Sequence, residues 1–199
     1  MAMPRKAVCK RHVQAMKKLA IGILITCLWA GAATAQSLMI IGDSPASQCY
    51  DNARWARAYA SSLAPCDDAL AAPDLPLRDR QRTWVNRAVI NLHLGEAAVA
   101  LHDLDQAVRL GFDSPEIEMN RSAALIRLSR YEDAIEAATL ALEGGLRDAE
   151  KAYFNRAVAY ERLGRVAEAY EDFRAASAAA PDWAAPREQL ERFSVSSRS

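Results

Sequence analysis

The chain has little of what most catalysis and metal binding require. Histidine occurs three times in 199 residues, and beyond residue 35 only His93 and His102 remain, not at the spacing of paired metal ligands. A glycine-rich phosphate loop is absent, and beyond residue 35 no thiol lies near a histidine in sequence, so phosphoryl transfer and thiol nucleophiles find no motif there. Acidic residues are missing from the first 35 positions, and so is a twin-arginine pair. What remains is a small number of chemically ordinary residues arranged with regular spacing.

The leader comes first. Arg5, Lys6, Lys10, Arg11, Lys17 and Lys18 precede a mostly apolar run from Leu19 to Gly31, followed by Ala33-Thr34-Ala35. This order is that of a secretory signal peptide over 1–35, with cleavage expected between Ala35 and Gln36. The apolar run is too short to span a bilayer, so no stable membrane insertion is expected after cleavage. Cleavage as a lipoprotein before Cys27 is disfavoured by the bulk of Thr26. Met16-Lys17-Lys18-Leu19 would by itself open a compact signal, which makes Met16 an alternative start to Met1. Removing the leader leaves 19 basic against 25 acidic residues, a net charge of −6. An acidic chain without a basic cluster argues against nucleic acid and anionic lipid as partners. The expected location is the periplasm or another oxidising extracytoplasmic space.

Two cysteines, Cys49 and Cys66, remain outside the leader. An even pair in an exported chain reads most simply as a disulfide, worth about 3 kcal/mol for a loop of that size. Two free thiols, or half a metal site, are the alternatives. A zinc site would need further ligands, and none is spaced for it, so neither metal nor cofactor is expected.

The strongest pattern lies at Glu150 to Pro181. Tyr153, Ala157 and Tyr160 share one helix face, Ala169, Phe173 and Ala176 another, and Gly164 interrupts between them. Two antiparallel helices are implied, with alanine at the close approaches and aromatics where the helices diverge. The triplets Asn86-Arg87-Ala88, Asn120-Arg121-Ser122 and Asn155-Arg156-Ala157 recur at intervals of 34 and 35 residues. This spacing resembles the tetratricopeptide repeat, with its small eighth residue, a tyrosine at the eleventh, then Ala, Phe and Pro.

The resemblance implies an all-α, right-handed α-solenoid of helical hairpins. Its expected segments are an extended arm at 36–46, a degenerate first repeat and linker at 47–80, full repeats at 81–114, 115–149 and 150–183, a capping helix at 184–193 and a disordered tail at 194–199. The first repeat is expected as a helix from Cys49 to Leu63 and a shorter one from Pro65 to Ala72, which brings the two cysteine slots to facing surfaces. In the second repeat Leu146 stands for the proline and Gly144-Gly145 ends the second helix, so its joint to the third repeat is expected to be looser.

Function is then expected on a surface. In the resembled family the first helices line a concave groove. Carried onto this chain, the lining residues include Val85, Asn86, Val89, Met119, Asn120, Arg127, Lys151, Phe154, Asn155, Val158 and Arg162, beside Arg82, Leu92, His93, Glu116, Ala123, Ile126 and Glu161. Val85, Val89, Met119, Phe154 and Val158 are candidate anchors for side chains. The three asparagines are candidates to hydrogen-bond an extended peptide backbone, and Arg127, Lys151 and Arg162 to receive a carboxylate. An alternative use of the asparagines is to satisfy backbone groups of the adjacent repeat. Asp103 and Asp105 read as a solvated helix face.

The implied function is non-enzymatic binding of a protein or peptide. The alternative is a structural subunit of an envelope assembly that binds through the convex face or terminal helix. One enzymatic reading was open to test. Leu38-Met39-Ile40-Ile41 followed by Gly42-Asp43-Ser44 looks like the nucleophile block of the GDSL esterases. That family's acid–histidine pair has the form D-x-x-H, whereas Ile90 and Val99 stand three residues before His93 and His102.

Overall fold

The computed structural model describes residues 44–56 and 59–196, and all regular structure among them is helical. Helix α1 (Pro45–Arg54) and helix α2 (Ala64–Ala71), joined through a 3₁₀ turn at Ala60–Leu63, make a short first hairpin. Three longer hairpins follow: α3 (Leu77–Leu94) with α4 (Ala97–Arg109), α5 (Pro115–Arg127) with α6 (Tyr131–Glu143), and α7 (Ala149–Arg162) with α8 (Val166–Ala179). Helix α9 (Ala184–Ser196) packs on α8. No helix among the described residues is long and apolar enough to cross a membrane.

Each long hairpin turns in the same way. Gly95, Ser129 and Gly164 have φ of 87°, 59° and 72°, the left-handed region that closes helix ends. The next N–H, on Glu96, Arg130 and Arg165, donates back to the carbonyls of Asn91, Leu125 and Tyr160 at 2.8, 2.9 and 2.9 Å. Identical turns give hairpins of one shape, and such hairpins stack by repeating a single interface.

That interface is built on small residues. Ala88, Ala100, Ala107, Ala124, Ala134, Ala138, Ala157, Ala169 and Ala176 have no exposed surface, which lets helix axes approach closely, while Leu104, Ile117 and Phe173 fill the wider gaps. α1, α3, α5 and α7 touch in succession and form one continuous inner row; no comparable row joins the second helices. The first helices therefore make the inner wall of the stack.

Several expected boundaries are corrected. Cys49–Leu63 is not one helix: α1 stops at Arg54, and Ala56, at φ 47°, is exposed. The arm expected to run through Ala46 is helical from Pro45, because the Ser44 hydroxyl caps the Ser47 N–H at 3.2 Å and Pro45 opens the first turn. Residues 36–43 of that arm, the leader and residues 197–199 lie outside the described residues. The last helix continues to Ser196, past the expected end at Phe193. The joint after the second hairpin is filled rather than loose: Leu146 is buried against Ala141 and Ala152, with Met119 and Leu142 beside them.

Candidate functional site

The inner row opens into a cleft of about 610 Å³ at its N-terminal end, between α1, α3 and α5. Tyr50 of α1, Val85 of α3 and Phe112 of the turn before α5 supply its apolar surface, with Asn86, Arg82 and Glu116 at its polar margin. Its charge is nearly balanced. Asp79 and Glu116 oppose Arg82 and the positive ends of three helices whose first turns reach the cleft. Such a surface suits an uncharged or weakly polar segment better than a strongly charged one.

The three repeated asparagines divide into two uses. Asn155 Nδ2 donates to Ser122 Oγ at 2.9 Å and to the Met119 carbonyl at 3.4 Å, so it joins α7 to α5. The amides of Asn86 and Asn120 have no such partner among the described residues, and both are part-exposed on the inner wall. A part-exposed amide with a donor and an acceptor to spare matches the needs of an extended backbone.

The other predicted residues also separate. Val85 packs on the α3–α4 core, Val89 on the Cys49–Cys66 cluster, and Met119 on Ala141, Leu146 and Ala152. Phe154 and Val158 are drawn into the C-terminal core with Leu190 and Phe193 of α9. The Phe154 ring lies 5.5 Å from that of Phe173 and 4.9 Å from that of Trp183. Glu161 is taken by Arg192 of α9 at 2.7 Å, and Leu92 is a core residue. The inner wall at α7 is thus partly occupied by the chain itself. Arg127 and Arg162 are exposed, with no ion partner among the described residues, whereas Lys151 pairs with Asp148 at 2.7 Å.

Behind this wall runs a set of ion pairs that sequence reasoning missed. Asp103 is not a solvated residue. It is fully buried, gripped at both oxygens by Arg87 at 3.0 and 2.7 Å, and it accepts a third bond from Asn91 at 3.0 Å. Arg156 holds Asp172 in the same way, 16 residues on. Each arginine also reaches back one hairpin, Arg87 to Asp67 at 2.7 Å and Arg156 to Thr139 at 3.0 Å. The hydrogen bonds that Arg87 and Arg156 donate to Asp103 and Asp172 hold the two guanidiniums above their ordinary pKa, against the opposing effect of burial. In the second hairpin Ala137 stands where the acid would be, and Arg121 instead pairs backward with Asp105 at 2.8 Å. A signal was present in sequence: the arginine of each Asn-Arg-Ala triplet has an aspartate 16 residues later.

Among the described residues no group of three or more His, Cys, Asp or Glu side chains is placed to hold a metal ion. The expected Cys49–Cys66 disulfide is present, with Cα atoms 4.8 Å apart.

An open stack of antiparallel helix pairs with a continuous inner row of first helices is an α-solenoid. Residues 150–183 match the family model of the tetratricopeptide repeat. The third long hairpin thus carries the repeat itself, and the chain as a whole has the fold of stacked hairpins of that kind. Solved structures agree on the fold. The tetratricopeptide-repeat domain of OM64 from Arabidopsis superposes with a TM-score of 0.54 at 23% identity, over 59% of this chain and 96% of that domain. The MamA RS-1 ArsTM double mutant superposes with a TM-score of 0.60 at 12% identity, over 79% of this chain and 87% of the other. No curated protein sequence gives a significant match.

Proposed function

We propose that the protein is a non-enzymatic binding module that acts outside the cytoplasm and holds an extended segment of a partner protein along its inner wall. Docking is centred on the cleft between α1, α3 and α5. The observation that carries this reading is the contrast among the asparagines. Asn155 is spent on the adjacent hairpin, whereas Asn86 borders a cleft of about 610 Å³ and its amide has no hydrogen-bond partner among the described residues. In this reading the segment takes backbone hydrogen bonds from Asn86 and Asn120 and places an apolar side chain among Tyr50, Val85 and Phe112. Arg127 and Arg162 stand at the far ends of α5 and α7, available to an acidic residue of the segment. Action outside the cytoplasm is supported by the basic-apolar-AxA order of the leader and by the disulfide.

A photo-activatable residue in place of Asn86, and separately of exposed Val108 on α4, tests the face in living cells. Adducts at position 86 with none at 108 are expected. Adducts at 108 alone would transfer the interface to the outer helices and replace the groove with the assembly reading.

A further inference from the structure

The cleft has one wall that is short of its own packing. Helix α1 gives the cleft Ala46, Ser47 and Tyr50, yet of its ten residues only Cys49 and Ala53 are buried. A helix of that length, burying two small side chains, is below the size at which helices hold by themselves. What ties it down is concentrated at one point. Cys49 and Cys66, both without exposed surface, pack with Ile90 of α3, and Leu63, Val89 and Leu94 close around them. Cys49 Sγ lies 3.9 Å from the carbonyl oxygen of Thr83, a residue that lines the cleft from α3. Asn52 Nδ2 adds a bond to the Ser62 carbonyl at 3.1 Å. The disulfide-bearing face of α1 therefore adjoins the face that builds the site, with Ala46 one turn from Cys49 and one turn from Tyr50.

We infer that the Cys49–Cys66 bond completes the docking cleft, so that the site is whole in the oxidised chain and incomplete in the reduced one. The inference rests on the docking reading above. Reduction by a dithiol delivers two electrons and two protons to the S–S bond, which becomes two thiols while the reductant closes to its own disulfide. The open hairpin then regains the chain entropy that the 17-residue linkage had removed, and α1 leaves α3. The chain therefore takes its segment about tenfold less tightly in a reducing compartment and gains full affinity on oxidation. Burial of both sulfurs shields the formed bond from solvent thiols, so the gate acts at assembly rather than as a reversible switch.

The test uses the full chain, oxidised, beside the chain unfolded, reduced with dithiothreitol and refolded, and the Cys49→Ser/Cys66→Ser double variant. Hydrogen exchange of the amides at 46–54 is expected to be roughly hundredfold faster in the reduced chain and the variant, with protection of 77–193 unchanged, as for local opening of one hairpin. On an array of short peptides carrying one Phe or Leu among Ser, Asn and Gly, the oxidised chain is expected to bind about tenfold more tightly than the variant, a difference of 1.4 kcal/mol. Unchanged protection at 46–54 overturns the inference, as does equal binding by both forms, and in either case the docking reading stands. No binding by the oxidised chain overturns the docking reading and the inference together.

Discussion

Arg156 grips both carboxylate oxygens of Asp172 at 2.7 and 2.9 Å, and its remaining amino group reaches back 3.0 Å to Thr139 in the preceding hairpin. One planar side chain thereby joins the two helices of its own hairpin and ties that hairpin to its neighbour. Arg87 does the same for the first long hairpin. Removing either arginine strands a buried carboxylate, which costs about 3–5 kcal/mol. Arg121 faces Asp105, which is 45% exposed, and its loss should cost under about 1 kcal/mol. Urea titration of Arg87→Ala, Arg156→Ala and Arg121→Ala should show that order. Equal midpoints would show that burial of the acids does not set the cost.

Ser129 occupies a turn where its counterparts are Gly95 and Gly164. A non-glycine residue with φ of 59° carries about 1 kcal/mol of strain. Ser129→Gly should stabilise by roughly that amount, while Gly164→Ala should destabilise by a similar amount. Thermal unfolding of the two variants checks the opposite signs.

Asn86 and Asn155 belong to the same triplet and should respond differently. Asn155→Ala removes bonds to Ser122 and Met119 and should cost about 1 kcal/mol of stability. Asn86→Ala should leave stability within about 0.5 kcal/mol and reduce capture of array peptides. A stability loss at Asn86 equal to that at Asn155 would remove the distinction.

Phe154 stands between Phe173 and Trp183. Phe154→Ala should cost about 3 kcal/mol through loss of packing around α9, with peptide capture at the α1–α3–α5 cleft retained below the unfolding transition. Capture lost in the still-folded variant would return Phe154 to the binding surface.

Glu168 lies in the first turn of α8, where its own backbone N–H and then Arg165 hold its carboxyl below the ordinary glutamate pKa. The unfolded chain binds the proton more readily. The contribution is therefore complete above the unfolded pKa and fades as pH falls through the lower folded value. Glu168→Gln should flatten the acid side of the stability profile and leave the neutral region nearly parallel to wild type.

The repeat period, the helical hairpins and the small-residue interfaces were legible in the chain because each is a local rule applied three times. Tyr153, Ala157 and Tyr160 share a face at any tertiary arrangement, and Gly164 ends a helix through its own backbone freedom. The pairing of Cys49 with Cys66 was legible from their number and from the signal-like order of the residues before them. The break at Ala56 was not, since nothing in Arg54-Trp55-Ala56 forbids a helix there.

The candidate site was legible only as a set of positions. Asn86, Asn120 and Asn155 are equivalent in sequence, and only Asn155 has Ser122 within hydrogen-bonding reach. Asp103 and Asp105 are two residues apart on one helix, and packing makes the first a buried partner of Arg87 and leaves the second at the surface. The chain by itself determined which helices form and at what interval, because those depend on neighbours within a turn or two. Which lining residues are spent inside, and where the wall stays open, depended on contacts between residues sixteen to thirty-six apart, and these exist only once the hairpins have stacked.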